Sequence, residues 1–193
     1  MTAQQPAAVT VFTVGLAAAD VGLLELLDER ERWRVGRSAS EADRARMMLG
    51  AALLRAAAGA QLGVPAAGLR VDRICADCGG WHGRPTLPGT GLDVSVSHSG
   101  KVVTVAILTG GGRVGVDVER VADRPVHDVV AWTIAEARFK AGGGTGLSVH
   151  ELPPPAPGHV LTVATDQPDA VLEVVDGTPL LTPWLHPTKG PTP

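Results

Sequence analysis

Residues 113–119, R-V-G-V-D-V-E, constrain the fold of this chain most. Valines alternate there with other residues over the length of a strand. Period-two geometry sends Val116 and Val118 to one face and both Asp117 and Glu119 to the other. Further strands are predicted at 93–97 and 102–109, the latter joined to 113–119 by the turn Gly110, Gly111, Gly112. An alternating run at 9–16 adds another strand, and 69–74 one more before a Gly/Pro-rich loop that runs to Gly91. Leu23, Leu24, Leu26 and Leu27 form a helical stripe within 20–34, whose acidic start and arginine-rich end suit the helix dipole. Ser38 with Glu41 reads as a capping box opening a long helix to about Gly59. A helix over 127–141 stops at the glycine run 142–144. Strands at 160–164 and 170–175 close the pattern, and 177–193 reads as a loose tail. These elements make the fold class α+β.

The next informative stretch is W-T-I-A-E-A-R-F-K, residues 132–140. Glu136 and Lys140 stand four apart, so on a helix they share a face one turn apart. Two strand carboxylates plus a helix carboxylate form an all-oxygen set that suits Mg²⁺ better than zinc, and a neighbouring lysine suggests phosphate chemistry. Each piece also has a plainer reading. D-x-E can end a solvated edge strand, and Glu–Lys at that spacing can be a surface ion pair.

The flanking sequence adds D-V-S-V-S-H-S-G at 93–100, H-G-R-P-T-L at 82–87 and D-R-A-R-M-M-L-G-A-A-L-L-R at 43–55. In this order the motifs resemble the 4′-phosphopantetheinyl transferase superfamily. The match is to its larger monomeric type, which activates carrier proteins of polyketide and peptide synthetases in secondary metabolism. The resemblance spans residues 20–147. It implies a pseudo-duplicated fold of helix plus antiparallel sheet in one domain, 1–176, with halves at 9–98 and 99–176. It also implies transfer of the 4′-phosphopantetheine arm of coenzyme A to a carrier-protein serine, releasing 3′,5′-ADP. By the same resemblance Asp117 and Glu119 hold Mg²⁺, Glu136 is its third ligand, the catalytic base or both, Lys140 is catalytic, and Arg46, Arg84 and His98 bind the coenzyme A phosphates. Two departures are Ala135, where the family has lysine, and a short connection from Glu119 to Trp132. They leave two alternatives: a trimmed relative that binds coenzyme A or a carrier protein without transfer, or one recruited to other biosynthetic chemistry.

A chain of 193 residues suits one domain with a sizeable core. Its net charge of −3 argues against nucleic-acid binding driven by overall charge. No apolar run approaches the roughly 20 residues needed to span a bilayer, so a cytoplasmic location is expected, and the resemblance implies a monomer. Cys75 and Cys78 form C-x-x-C with His82 four residues on. A structural zinc normally takes four ligands and only three are evident, so two reduced loop cysteines are expected.

Overall fold

The computed structural model describes residues 6–122 and 124–185. The alternating run near the N-terminus becomes β1 (Ala8–Gly15), which lies inside a four-stranded sheet. On one side it pairs antiparallel with β5 (Val102–Thr109), which in turn pairs with the edge strand β4 (Asp93–Ser99). On the other side it pairs in parallel with β9 (Val171–Asp176). Period two gives β1 two apolar faces: Phe12 and Val14 enter one buried cluster, Val9 and Val11 another. The second cluster is shared with Val114, Val116 and Val118 of β6 (Val114–Arg120). That strand begins a second sheet, in which β8 (His159–Thr165) lies between β6 and β7 (Ser148–Leu152).

Each sheet has a helix. The longer, α2 (Glu41–Leu62), starts where Ser40 accepts from the Asp43 amide and stops at Gly63 in the left-handed region. The shorter helix α1 (Glu29–Gly36) packs beside it, capped reciprocally by Asp28 and Glu31. Arg55 of α2 is only 1% exposed. It donates to Glu31 at 2.7 Å, to Asp28 at 2.9 Å and to the Leu69 carbonyl at 2.6 Å. Burial dominates at Glu31 and pushes its carboxyl above the usual range, against the pull of Arg55. The helix α3 (Val126–Lys140) lies on β6 and β8 through a stripe of Val129, Thr133 and Ala137. Gly115 permits that approach, because a Cβ there would strike the Ala137 carbonyl and the Ala141 amide.

The order of elements repeats. Setting aside α1 and the two short strands between α2 and β4, β1, α2, β4, β5 and then β6, α3, β7, β8 each follow the order strand, helix, strand, strand. The last strand of each set lies between the other two of its set. The two sheets meet along an unusual seam. Asp93, Ser95, Ser97 and Ser99, alternate residues of β4, accept the backbone amides of Val114, Val116, Val118 and Arg120 in turn. The seam thus satisfies the free amides of the β6 edge through side chains rather than through a backbone ladder.

Several expectations need correction. The leucine stripe over 20–34 is not one helix: a 3₁₀ segment, Val21–Leu26, ends at extended Leu27, and Asp28 caps a new helix. The cap of α2 is Ser40 with Asp43, not Ser38 with Glu41. The loop expected before Gly91 contains β3 (Trp81–Thr86), which pairs with the short β2 (Asp72–Ile74). β7 was not read from the sequence. A boundary between halves at 98/99 would cut β4 and separate β5 from its sheet, so the topology divides after β5. The expected tail begins with α4 (Thr178–Leu181), whose Leu181 is buried in the main cluster; residues 186–193 lie outside the described ones. The three glycines 110–112, all at positive φ, carry the chain from the first sheet to the second instead of closing a hairpin.

Candidate functional site

A cleft of about 280 Å³ opens between the end of β4, β6 and α3. Its lining includes Ser97 and His98 of β4, Asp117 and Glu119 of β6, and Trp132, Glu136 and Lys140 of α3. Burying Val116 and Val118 turns Asp117 and Glu119 to the opposite face, where α3 passes. The stripe that seats α3 likewise leaves Glu136 and Lys140 on its cleft side.

Asp117 is buried, and its Oδ1 accepts from Lys140 Nζ at 2.6 Å and from Ser97 Oγ at 2.8 Å. Lys140 also donates to Ser97 Oγ at 3.1 Å. Asp117 Oδ2 is buried with no hydrogen-bond partner, so this acceptor has a desolvation cost that nothing nearby offsets. Glu119 Oε2 accepts from Ser99 Oγ at 2.8 Å and from Arg124 at 3.3 Å. Glu136 is half-buried and makes no hydrogen bond or ion pair among the described residues. The three carboxylates line one cavity, yet their oxygens do not all come within 4.8 Å of one another. Their chemistry fits a hard cation: all ligand atoms are oxygens, one is a buried orphan, and the cleft has room for water.

A second cavity, of about 160 Å³, shares Val96 and His98 with the first. Arg34 of α1, Arg46 of α2 and Arg73 of β2 line it. Arg46 is anchored by donating to the Gly100 carbonyl at 2.9 Å and to Asp43 at 2.7 Å. Arg73 has no ion pair among the described residues, and burial, then the nearby Arg34 charge, pulls its pKa down to about 10. Such a guanidinium has an incentive to gain an anion. His98 stands at the junction. Burial against its neighbours, then the charges of Arg46 and Lys140, hold its pKa below the usual histidine value. Its side chain is nonetheless exposed at the cavity mouth.

Of the residues singled out in the sequence, Asp117, Glu119, Glu136, Lys140 and His98 come together in the cleft, and Arg46 joins His98 in the second cavity. Arg84 joins neither. It grips Asp93 bidentately at 3.0 and 2.6 Å and donates to the Val114 carbonyl at 2.7 Å, which makes it part of the seam. Arg34 and Arg73 were missed. Nothing local marks Arg73, because only the fold of the β2–β3 hairpin carries it to the cavity. The serines at 95, 97 and 99 held the one usable signal, an alternation matched to that of residues 114–120.

No family model matches the chain, and no curated protein matches it significantly. No helix among the described residues is long and apolar enough to cross a membrane.

Proposed function

We propose that this protein is a Mg²⁺-dependent 4′-phosphopantetheinyl transferase, which moves the phosphopantetheine arm of coenzyme A onto a serine of an acyl or peptidyl carrier protein. The observation that carries this reading is the cleft itself. It gathers Asp117 and Glu119 with Glu136, Lys140 and His98, drawn from three separate motifs, beside a cavity lined by three arginines. The repeated strand–helix–strand–strand order supports the pseudo-duplicated fold that belongs with this activity.

The chain's own groups have definite tasks in this reading. Arg34, Arg46 and Arg73 hold anionic phosphate of coenzyme A, and His98 donates to a phosphate oxygen between the two cavities. Asp117, Glu119 and Glu136 are the oxygen donors for Mg²⁺, which when bound offsets pyrophosphate charge. Glu136, free of partners, accepts the proton of the attacking serine hydroxyl. Lys140, held by Asp117 and Ser97, stabilises negative charge on the departing 3′,5′-ADP. Trp132, 51% exposed at the cleft, and Phe139, 76% exposed on the same helix, offer apolar surface to the carrier protein. A cytoplasmic monomer fits this task.

A second reading has an observation in its favour. Lys140 is paired with Asp117 and the carboxylates are not drawn together, as suits a pocket that binds coenzyme A without transfer. Intact mass of an apo carrier protein after incubation with coenzyme A and Mg²⁺ decides between them. Transfer adds the phosphopantetheine mass and stops when Mg²⁺ is chelated. Tight coenzyme A binding with no mass gain on any carrier protein tested selects the second reading.

A further inference from the structure

The turn between β2 and β3 folds Cys75, Cys78 and His82 onto one another. One ligand atom from each lies within 4.8 Å of the other two, the only such group among the described residues. The turn is built around that convergence. Cys75 N–H donates to the Gly80 carbonyl at 2.8 Å, and Gly79 N–H donates to the Cys75 carbonyl at 2.9 Å. Gly80 N–H points at Cys78 Sγ, 3.4 Å away. Gly79 takes φ +72°, which closes the loop without a Cβ penalty. At Gly80 a Cβ would sit 3.0 Å from the His82 ring and 3.3 Å from Cys78 Sγ, so a side chain there would press into the cluster. Both cysteines are free thiols.

We propose that Cys75, Cys78 and His82 form a Zn²⁺ site, with a fourth position open to water or an added ligand. Tetrahedral zinc with ordinary Zn–S and Zn–N bonds separates two sulfurs by about 3.8 Å and a sulfur from a nitrogen by about 3.6 Å. Cys78 Sγ and His82 Nε2, at 3.0 Å, need to part by only about half an ångström to admit the ion. Cys78 and His82 are exposed, which gives the ion a way in. The hairpin also has reason to be stapled: β2 is three residues long, its register shifts, and Ile74 is 60% exposed, so apolar burial alone ties it down weakly. Zinc would fix the strand that carries Arg73. Binding replaces two S–H bonds by two S–Zn bonds and releases two protons from the thiols, with no change of oxidation state. This inference stands apart from the transferase reading.

The full chain, reduced and freed of metal, is titrated with Zn²⁺ against a chromogenic chelator and, separately, with Co²⁺. One zinc per chain is expected, together with thiolate-to-cobalt charge-transfer absorption and tetrahedral ligand-field bands. Cys75→Ser and Cys78→Ser each lower affinity on the order of a hundredfold and remove roughly half of the charge-transfer absorption, in proportion to the thiolate removed. His82→Ala shifts the ligand-field bands and weakens binding less. Far-UV circular dichroism checks the variants. Should a variant not fold, the native protein still decides, because a cobalt complex without thiolate absorption overturns the site. Absence of binding overturns it, and so does zinc affinity unchanged by Cys75→Ser and Cys78→Ser.

Discussion

The two sheet-bound helices meet their sheets in opposite ways. In α2 every position from Leu49 to Gly59 is buried, including the ion-paired Arg55. In α3 only Val129, Thr133 and Ala137 are buried, a single stripe at a spacing of four. The enclosed stretch of α2 serves as scaffold, and only its more open first turns carry a charged side chain, Arg46, to a cavity. A helix resting on one stripe keeps its flanks for other work along its whole length. The flanks of α3 carry Trp132, Glu136 and Lys140 into the cleft. Repetition of element order has therefore not produced repetition of role: α2 mainly anchors the core and contributes Arg46, whereas α3 presents Trp132, Glu136 and Lys140.

Glycine at each contact gives the largest test of that contrast. A Cβ at Gly115 meets backbone atoms of α3, which cannot move without displacing the helix. A Cβ at Gly50 of α2 meets only side-chain methyls, Val96 Cγ1 at 3.3 Å and Val103 Cγ1 at 3.8 Å, and alanine improves helix propensity. Gly115→Ala is expected to cost about 3 kcal/mol or more, by overpacking against backbone. Gly50→Ala should stay within about 1 kcal/mol of the native chain. Denaturant unfolding of both variants measures the difference, and equal losses would break the comparison.

What could be read in advance follows the same division. Asp117 with Glu119, and Glu136 with Lys140, were legible because each pair is fixed by the local period of its own element. Arg73 was not, because a hairpin turn between Cys75 and Gly80 places it. The place of Arg84 was hidden for a related reason: its partner Asp93 lies on another strand, and no spacing reveals that pairing. The leucines at 23–27 matched a helical stripe, but Asp28 and Glu31 cap each other and Arg55 pins both, so the chain breaks there. The serines of β4 have meaning only against the amides of β6, a match across two sheets.

Within the cleft, Glu136 and Asp117 should behave differently although both are acids. Glu136 has no partner to lose among the described residues, so Glu136→Gln should leave stability nearly unchanged and, with saturating Mg²⁺, lower coenzyme A affinity far less than turnover. If it is the base, turnover falls on the order of 10²- to 10⁴-fold. Steady-state transfer kinetics with thermal unfolding separate the two quantities. A large affinity loss with intact turnover would assign Glu136 to binding and leave the proton to another group.

His98 joins the two cavities and gives a smaller, pH-dependent effect. Its depressed pKa keeps it neutral in the free protein at neutral pH. A bound phosphate favours the imidazolium, so binding takes up a proton and strengthens as pH falls from about 7.5 to about 6. Stability runs the other way: the contribution of neutral His98 is present above its unfolded value and is lost as pH falls through the folded one. His98→Ala should weaken coenzyme A roughly ten- to a hundredfold near pH 6 and flatten the pH dependence. Calorimetric titration at both pH values reads this. An unchanged slope in the variant would place the titrating group elsewhere.

The smallest expected effect is at Ala135, where the transferases that the sequence resembles have lysine. Ala135 is exposed on α3, next to Glu136, and it does not line the cleft. A lysine there meets no obstruction, but solvent screens its charge, and one exposed ion pair contributes about 0–1 kcal/mol. Ala135→Lys is therefore expected to raise coenzyme A affinity or turnover no more than about fivefold. The comparison of the helices sharpens here. If α3 stays in place when ligand enters, position 135 remains at the rim and the gain stays small at every salt concentration. A gain of a hundredfold, suppressed by added salt, would mean that α3 rolls on its narrow stripe and brings this position over the pyrophosphate, a movement that α2, buried all round from Leu49 to Gly59, could not make.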